Sequence, residues 1–290
     1  MRSVLNRIGR YLERITTPRI TNNVVANVVS LSKNNLLDGR SAFITGGTSG
    51  IGLSIAKAFL NAGANVVIAG RSSSKWMSVK QSIVSEYPEF VERIHFIQLD
   101  LSLSNDYDKV VADILTLTLK FDILVNNAGT LGCQFGTGSE EEFDKVLNTN
   151  LRGAFMLSQA VARYFVSQGI KGNILNICSS SSFRPAASAY TLSKWGIRGL
   201  TLGMAKSLIG KGIVVNGIAP GPTATPMLLA EGQKNIDLPT NPLGRYTMPE
   251  EIANMAVILV SDLGRTIVGA IVPMTGGAGV ITFDDIKYGF

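Results

Sequence analysis

Tyr190 and Lys194 stand four residues apart in Tyr190-Thr191-Leu192-Ser193-Lys194. On a helix that spacing puts both side chains on one face. A phenol titrates near pH 10 in water, too high for efficient proton transfer at neutral pH. An ammonium beside it favours the phenolate and lowers that value, which makes Tyr190 a candidate general acid or base. Far upstream lies Thr45-Gly46-Gly47-Thr48-Ser49-Gly50-Ile51-Gly52. A glycine loop opening a helix lets backbone N–H groups approach a pyrophosphate, and the helix N-terminus favours its charge. The spacing is GxxxGxG, not the GxGxxG of the general dinucleotide fingerprint. Either motif alone is weak, since glycines make ordinary turns and many exposed helices carry YxxxK. Together they suggest a proton donor beside a bound hydride carrier, hence nicotinamide-dependent oxidoreduction.

The second strand-like run, 65–69, ends at Gly70-Arg71-Ser72. A carboxylate there would bond a ribose 2′-hydroxyl; Gly70 offers none, whereas Arg71 can pair with a 2′-phosphate. This predicts NADP(H) in preference to NAD(H). Asp100 follows the third run, where a carboxylate can accept from an adenine amino group. Asn126-Asn127-Ala128-Gly129 follows the fourth, with side chains small enough for a cofactor to lie close to the backbone.

The elements that must position these groups alternate. Strand-like runs occur at 41–45, 65–69, 94–99, 122–125, 173–177, 213–218 and 269–273. Helical patterns lie near 50–62, 74–87, 104–119, 139–168, 188–210 and 249–261. Such alternation predicts an α/β fold, a Rossmann-like doubly wound parallel sheet of about seven strands. Residues 222–248, rich in Pro, Gly, Asn and Thr, are too irregular for one helix and suit a functional loop. The domain reading is a basic extension at 1–35 and one catalytic domain at 36–290.

The net charge of +6 is uneven: residues 1–40 carry seven basic and two acidic residues, five of the six excess charges. The main domain thus offers little of a nucleic-acid surface. Residues 3–16 place Val4, Leu5, Ile8, Tyr11, Leu12 and Ile15 at helical spacing among arginines, with Pro18 limiting the helix. Docking on the protein, lying on an anionic membrane surface through residues 1–17, and organellar targeting all stay open for this stretch. No apolar run reaches the length of a membrane span. Cys133 and Cys178 form no CxxC pair, which suits a reducing cytoplasm, and a single histidine, His95, offers no metal cluster.

These motifs in this order resemble the short-chain dehydrogenase/reductase family in its shorter-subunit branch, over about residues 36–277. They are Thr45–Gly52, Asp100, Asn126–Gly129, Asn150 in Asn150-Leu151-Arg152-Gly153, the serine run after Asn176-Ile177, Tyr190/Lys194 and Pro220-Gly221. The likeness is to 3-oxoacyl-carrier-protein reductases and related ketone reductases. It implies Tyr190 as proton donor and Lys194 as the group that orients the ribose and tunes Tyr190. Asn150 would support a water-linked proton relay, and a serine would polarise the substrate carbonyl. By position that serine is Ser179, with Ser180 and Ser181 as alternatives, because the segment to Tyr190 is two residues short of the usual pattern. The implied cofactor set is Gly46, Thr48, Ser49, Gly50, Ile51, Gly52, Arg71, Asp100, Leu101, Asn127, Ala128, Gly129, Tyr190, Lys194, Pro220, Gly221, Thr223 and Thr225. No metal is implied. A homotetramer or dimer is implied, with the helices near 104–119 and 139–168 at its interface. The substrate, a carbonyl or secondary alcohol, stays open among an oxoacyl thioester, a sugar-type ketone, a steroid and a small alcohol. Met227, Leu228 and Leu229 either face an apolar substrate or pack a lid helix. A non-catalytic NADP(H) sensor or scaffold is the alternative of a different class. An epimerase or dehydratase of the longer-subunit branch fits less well, given Gly50-Ile51-Gly52 and the short C-terminal part.

Overall fold

The computed structural model describes residues 23–26, 31–229 and 235–281. The expected helix at 3–16, with its membrane and targeting readings, lies outside the described residues, as does the tail after residue 281.

Among the described residues seven strands form one parallel sheet: β1 (Ser41–Thr45), β2 (Asn65–Gly70), β3 (Ile94–Gln98), β4 (Ile123–Asn126), β5 (Asn173–Ile177), β6 (Val214–Pro220) and β7 (Ile271–Met274). Their order is β3-β2-β1-β4-β5-β6-β7. The helices are α1 (Gly50–Asn61), α2 (Ser73–Glu86), α3 (Tyr107–Leu117), α4 (Glu140–Leu147), α5 (Gly153–Ser167), α6 (Ala189–Leu208) and α7 (Pro249–Val260). The doubly wound sheet is the expected fold. Every strand-like run holds a strand, although β6 continues to Pro220 and β7 starts at Ile271.

The pleat divides each strand between two cores. Ala42 and Ile44 of β1 pack with residues of α1, α2 and α7, while Phe43 packs with residues of α3 and α5. Val66 and Ile68 of β2 take the first side and Val67 and Ala69 the second. Burial on both faces is why these strands read as continuous apolar runs instead of alternating ones. Each large side chain fully buried this way contributes roughly 1.5–3 kcal/mol.

Four helices start on side-chain caps. Ser72, Asp106, Ser139 and Ser188 each accept the backbone N–H three residues on. Ser49, at the head of α1, makes no such bond.

The expected single helix at 139–168 is instead two. It widens into a π turn at Asn148–Arg152 between α4 and α5. Asn150 is buried there and held by partners outside the helix, and such an inserted turn re-aims a side chain. α5 then resumes at Gly153, where a Cβ would lie 2.8 Å from the Leu101 Cβ. Apolar periodicity carries no trace of one extra residue in a turn.

No α-helix lies among the described residues of 222–248, so a lid helix for Met227 and Leu228 to pack is absent there, and both are exposed in a turn. The loop is nonetheless tied down. Thr223 bridges Thr247 and Asp237 bridges Arg245. The Arg245 guanidinium bonds both Glu251 oxygens, at 2.8 and 2.9 Å, at the head of α7. That pairing holds the Glu251 carboxyl below the usual range.

Described residues ahead of β1 are bonded to α7 and α1. Leu31 N–H donates to Asn254 Oδ1 of α7 at 3.3 Å and Asn34 N–H to the Asn61 carbonyl at 3.1 Å. Leu37 is fully buried. Among the described residues no helix is long and apolar enough to cross a membrane.

Candidate active site

β1 and β4 are neighbours whose following crossovers run to opposite sides, so a crevice opens beyond their C-terminal ends. Thr45 closes its floor. Its hydroxyl accepts the N–H groups of Asn127 and Ala128 at 3.0 and 3.1 Å. Asn127 Nδ2 returns bonds to the carbonyls of Thr45 and Gly46, at 2.9 and 3.2 Å. The closeness of the two loops dictates glycine. A Cβ on Gly46 (φ +66°) would lie 2.9 Å from the Ala128 Cα, and one on Gly52 would lie 2.5 Å from the Gly46 carbonyl oxygen.

The turn after β6 reaches the same loop. Gly221 stands where a Cβ would meet the Thr275 Cα at 2.8 Å. Thr223 donates its hydroxyl to the Gly221 carbonyl at 2.9 Å, and Thr225 N–H bonds the Thr223 carbonyl at 2.8 Å. This sets the Thr225 methyl 3.3 Å from where Gly50 would carry a Cβ. Thr225, at the end of the turn that Pro220, Gly221 and Thr223 begin, therefore meets the glycine loop from far along the sequence.

At the β2 end, Thr48 packs over Gly70, 3.0 Å from its missing Cβ. Arg71 is exposed, and its guanidinium makes no hydrogen bond or ion pair with a described residue. Asp100 accepts from the Ser102 N–H and hydroxyl at 2.9 and 2.7 Å. Burial pushes its carboxyl up, but the Ser102 bonds and the charges of Arg71 and Lys145 outweigh that and leave it below the usual range. Leu101 is buried in the core beneath α5, so any cofactor contact from it would be main-chain. Ile51 is half-buried against the opposite core.

The catalytic candidates meet beyond β4 and β5. Lys194 is buried, and its Nζ donates to the Ile177 carbonyl at 2.9 Å, 5.7 Å from the Tyr190 ring centre. An ammonium has three N–H groups, and a buried one needs acceptors for all of them. One acceptor among the described residues leaves two N–H groups for other partners such as a ligand or water. Gly129 makes the room: a Cβ there would lie 3.7 Å from Lys194 Nζ and 3.5 Å from Asn150 Oδ1. Asn150 clamps Thr130, accepting its N–H at 2.8 Å and donating to its carbonyl at 2.9 Å. The same Nδ2 donates to Ser193 Oγ at 3.0 Å, and Ser193 donates to the Tyr190 carbonyl at 2.6 Å. Both Asn150 Nδ2 protons are thus engaged, and its Oδ1 accepts one of the two bonds an amide oxygen can take.

Ser179 caps the short 3-10 turn Ser180–Phe183, its hydroxyl accepting the Ser181 N–H at 3.1 Å. Its own proton stays available to donate. Ser180 and Ser182 are buried, and Ser182 donates to the Ser179 carbonyl at 2.6 Å. Beneath lies a polar network: Asn126 Nδ2 donates to Ser158 Oγ and Asn176 Oδ1, both at 2.8 Å, and Asn176 donates to Thr201 at 2.8 Å. Cys178 is packing, with burial pushing its thiol up to about 11. Cys133 is half-buried in a left-handed conformation, φ +55°, with Sγ 3.7 Å from the Ser139 carbonyl. His95 lies on the edge strand β3, where burial lowers its pKa. No cluster of metal-ligating residues exists among the described residues.

Sequence reasoning counted Thr45 in the glycine-loop motif without a role for it, and missed Thr130 and Ser193. Ser193 had a visible signal, as a hydroxyl between Tyr190 and Lys194. Thr45 had one too, as the polar end of an apolar strand.

A family model for short chain dehydrogenases matches residues 40–235. The 3-oxoacyl-(acyl-carrier-protein) reductase of Aquifex aeolicus is 34% identical over 246 residues, 83% of this chain and 98% of the relative. The chain belongs to the short-chain dehydrogenase family. A second relative of this short-chain dehydrogenase, the 3alpha-hydroxysteroid dehydrogenase of Mediterraneibacter gnavus, is 35% identical over 257 residues, 84% of this chain and 98% of the relative. The solved structure of a short-chain type dehydrogenase/reductase from Mycobacterium marinum superposes with a TM-score of 0.74 at 30% identity, covering 83% of this chain and 96% of that one. As a short-chain dehydrogenase the protein is an NAD(P)-dependent oxidoreductase acting on CH–OH and C=O groups.

Proposed function

We propose that this short-chain dehydrogenase reduces a ketone, or oxidises a secondary alcohol, with NADP(H), and that Tyr190 is its general acid and base. The observation that carries the reading is Lys194, a buried ammonium with one acceptor among the described residues, set beside the Tyr190 ring and next to the space kept open by Gly129. The residues fit the dinucleotide. Gly46 and Gly52 form a cradle that any Cβ would fill, and the head of α1 carries no side-chain cap. Its pyrophosphate would rest on that loop through Gly46, Thr48, Ser49, Gly50, Ile51 and Gly52. Asp100 with the main chain of Leu101 would hold the adenine end; Asn127, Ala128, Gly129, Thr223 and Thr225 would hold the nicotinamide half. The cofactor, when bound, supplies the hydride.

The chain's own part is proton handling and orientation. In reduction the Tyr190 hydroxyl gives its proton to the developing alkoxide, and in oxidation it takes one back. Ser179 donates a hydrogen bond to the same oxygen, where charge grows in the transition state. Lys194 holds the ribose and keeps a positive charge beside the phenol. Asn150 keeps the loop at Thr130 and the first turn of α6 in register. Nothing in the site favours binding without turnover. The test is NADPH oxidation across a panel of ketones, sugar ketones and oxoacyl thioesters, with NADH in parallel; no turnover with any of them would count against the reading.

The 2′-phosphate assignment has its own test. Arg71→Ala should weaken NADPH by about 10- to 100-fold, the value of a charge-assisted bond, while NADH changes by less than about twofold. Fluorescence titration of both nucleotides measures this, and equal losses would contradict the role. Homo-oligomer formation is supported by Phe155, Met156 and Val166, which leave α5 with an exposed apolar face.

A further inference from the structure

We propose that residues 23–26 strap the substrate loop from its outer edge and so position the substrate side of the site, an inference that rests on the dehydrogenase reading above. Both backbone groups of Val24 engage the loop. Its N–H donates to Asn235 Oδ1 at 3.2 Å, and its carbonyl accepts the Ile236 N–H at 3.5 Å. Exposure alternates along the arm: Asn23 and Val25 face out, Val24 and Ala26 are half-buried. That is the period of an edge strand.

What the arm joins is a small hairpin. Tyr246 N–H donates to the Ile236 carbonyl at 2.9 Å, Leu238 N–H donates to the Gly244 carbonyl at 2.9 Å, and Asp237 bridges Arg245. Adding a segment to an exposed hairpin edge is the ordinary geometry of strand addition. The hairpin leads directly to the site. Tyr246 precedes Thr247, whose carbonyl accepts the Ala224 N–H and whose N–H donates to the Pro222 carbonyl, both at 2.9 Å. Thr225, against Gly50, comes next. An unbroken series of backbone bonds therefore runs from Val24 to the turn beside the glycine loop.

The loop's other flank is held by the domain itself. Asn241 donates to the Thr275 carbonyl and Leu243 N–H to the Gly276 carbonyl, at 2.9 and 3.1 Å. Among the described residues of the loop, the edge at 235–236 is the part bonded to the arm. The arm also lies outside what the family shares: the family model starts at residue 40, and the Aquifex aeolicus relative, matched over 98% of its length, spans 83% of this chain. A loop whose outer edge is strapped holds its substrate-facing residues in one arrangement; Ser179, Tyr190 and Lys194 lie outside that loop, so releasing it bears on substrate binding more than on proton transfer.

Proline in place of Val24 removes the N–H that Asn235 accepts, whereas alanine keeps both backbone groups. In the full-length chain Val24→Pro should speed amide exchange at Ile236 and Tyr246 by at least about tenfold, with the central strands unchanged. It should raise the KM for the carbonyl substrate about tenfold while kcat stays within about twofold. Val24→Ala should match the parent in both. A chain beginning at Leu31, which keeps the contacts of Leu31, Asn34 and Leu37, should behave like Val24→Pro. Unchanged exchange at Ile236 in both Val24→Pro and the shortened chain would overturn the strap. Faster exchange with an unchanged KM would overturn its role in substrate binding, and equal effects of alanine and proline would overturn the backbone pairing. If the parent chain turns over no carbonyl compound, the dehydrogenase reading fails separately, and the exchange result still decides whether the arm is docked.

Discussion

Tyr190→Phe is expected to lower kcat by about 10²- to 10⁴-fold, the usual worth of a positioned general acid. NADPH affinity should stay within about twofold, because the change removes one hydroxyl and leaves the ring and its neighbours in place. The structure gives reasons for this separation. Tyr190 is half-buried in the first turn of α6, and no described residue bonds its hydroxyl. Removing that oxygen orphans no protein group. The ring stays beside Lys194, and Lys194 stays anchored on the Ile177 carbonyl. The backbone carbonyl of Tyr190 still receives the Ser193 hydroxyl, so Asn150 and Thr130 keep their places. Steady-state turnover with a fluorescence titration of NADPH measures both halves. Retained turnover, or lost nucleotide binding in a folded variant, would remove Tyr190 from the proton-transfer role.

Gly52→Ala should strike the other half of the reaction. The added methyl would sit 2.5 Å from the Gly46 carbonyl oxygen and against the Asn127 amide. Neither can yield freely, since Asn127 Nδ2 is bonded to the carbonyls of Thr45 and Gly46. Relief therefore moves the glycine loop or breaks the stitch between β1 and β4. Overpacking of this kind costs about 1–3 kcal/mol of stability. The displaced backbone N–H groups should weaken NADPH about tenfold or more, as befits lost bonds to a charged group. Calorimetric unfolding with and without NADPH reads both effects. An alanine variant with the parent's melting temperature and affinity would mean that the loop is not the rigid cradle described above.

The parts of the site legible in sequence were those confined to one segment. Tyr190 and Lys194 sit one helical turn apart, and Gly46 to Gly52 lie between one strand and the helix it feeds. Local spacing alone puts each group together. The division of the strands into apolar runs was legible for a similar reason, because a strand buried on both faces has no polar alternation to disguise it. Asn150 shows where this ends. Its place in the order of motifs marked it, but periodicity continued one helix through it. At the π turn the Asn150 side chain is bonded by Thr130 and Ser193, 20 and 43 positions away, which no local pattern records. Ser179 stands between these cases, since a run of four serines carries the right chemistry at several positions. Only the 3-10 turn singles out Ser179 as the one that caps it, since Ser179, Ser180 and Ser182 are all buried.

The sequence by itself determined the sheet, the glycine loop and the pairing of a phenol with an ammonium, because each depends on side chains a few residues apart. Tertiary structure alone decided the rest. It brought Thr225 to Gly50 and Lys194 to the Ile177 carbonyl, and it laid Val24 along the edge of the loop at Asn235 and Ile236. Those contacts join residues from 17 to 212 positions apart. They form because burying both faces of the sheet gathers the C-terminal ends of its strands into one crevice, and no local pattern records which distant side chains meet there.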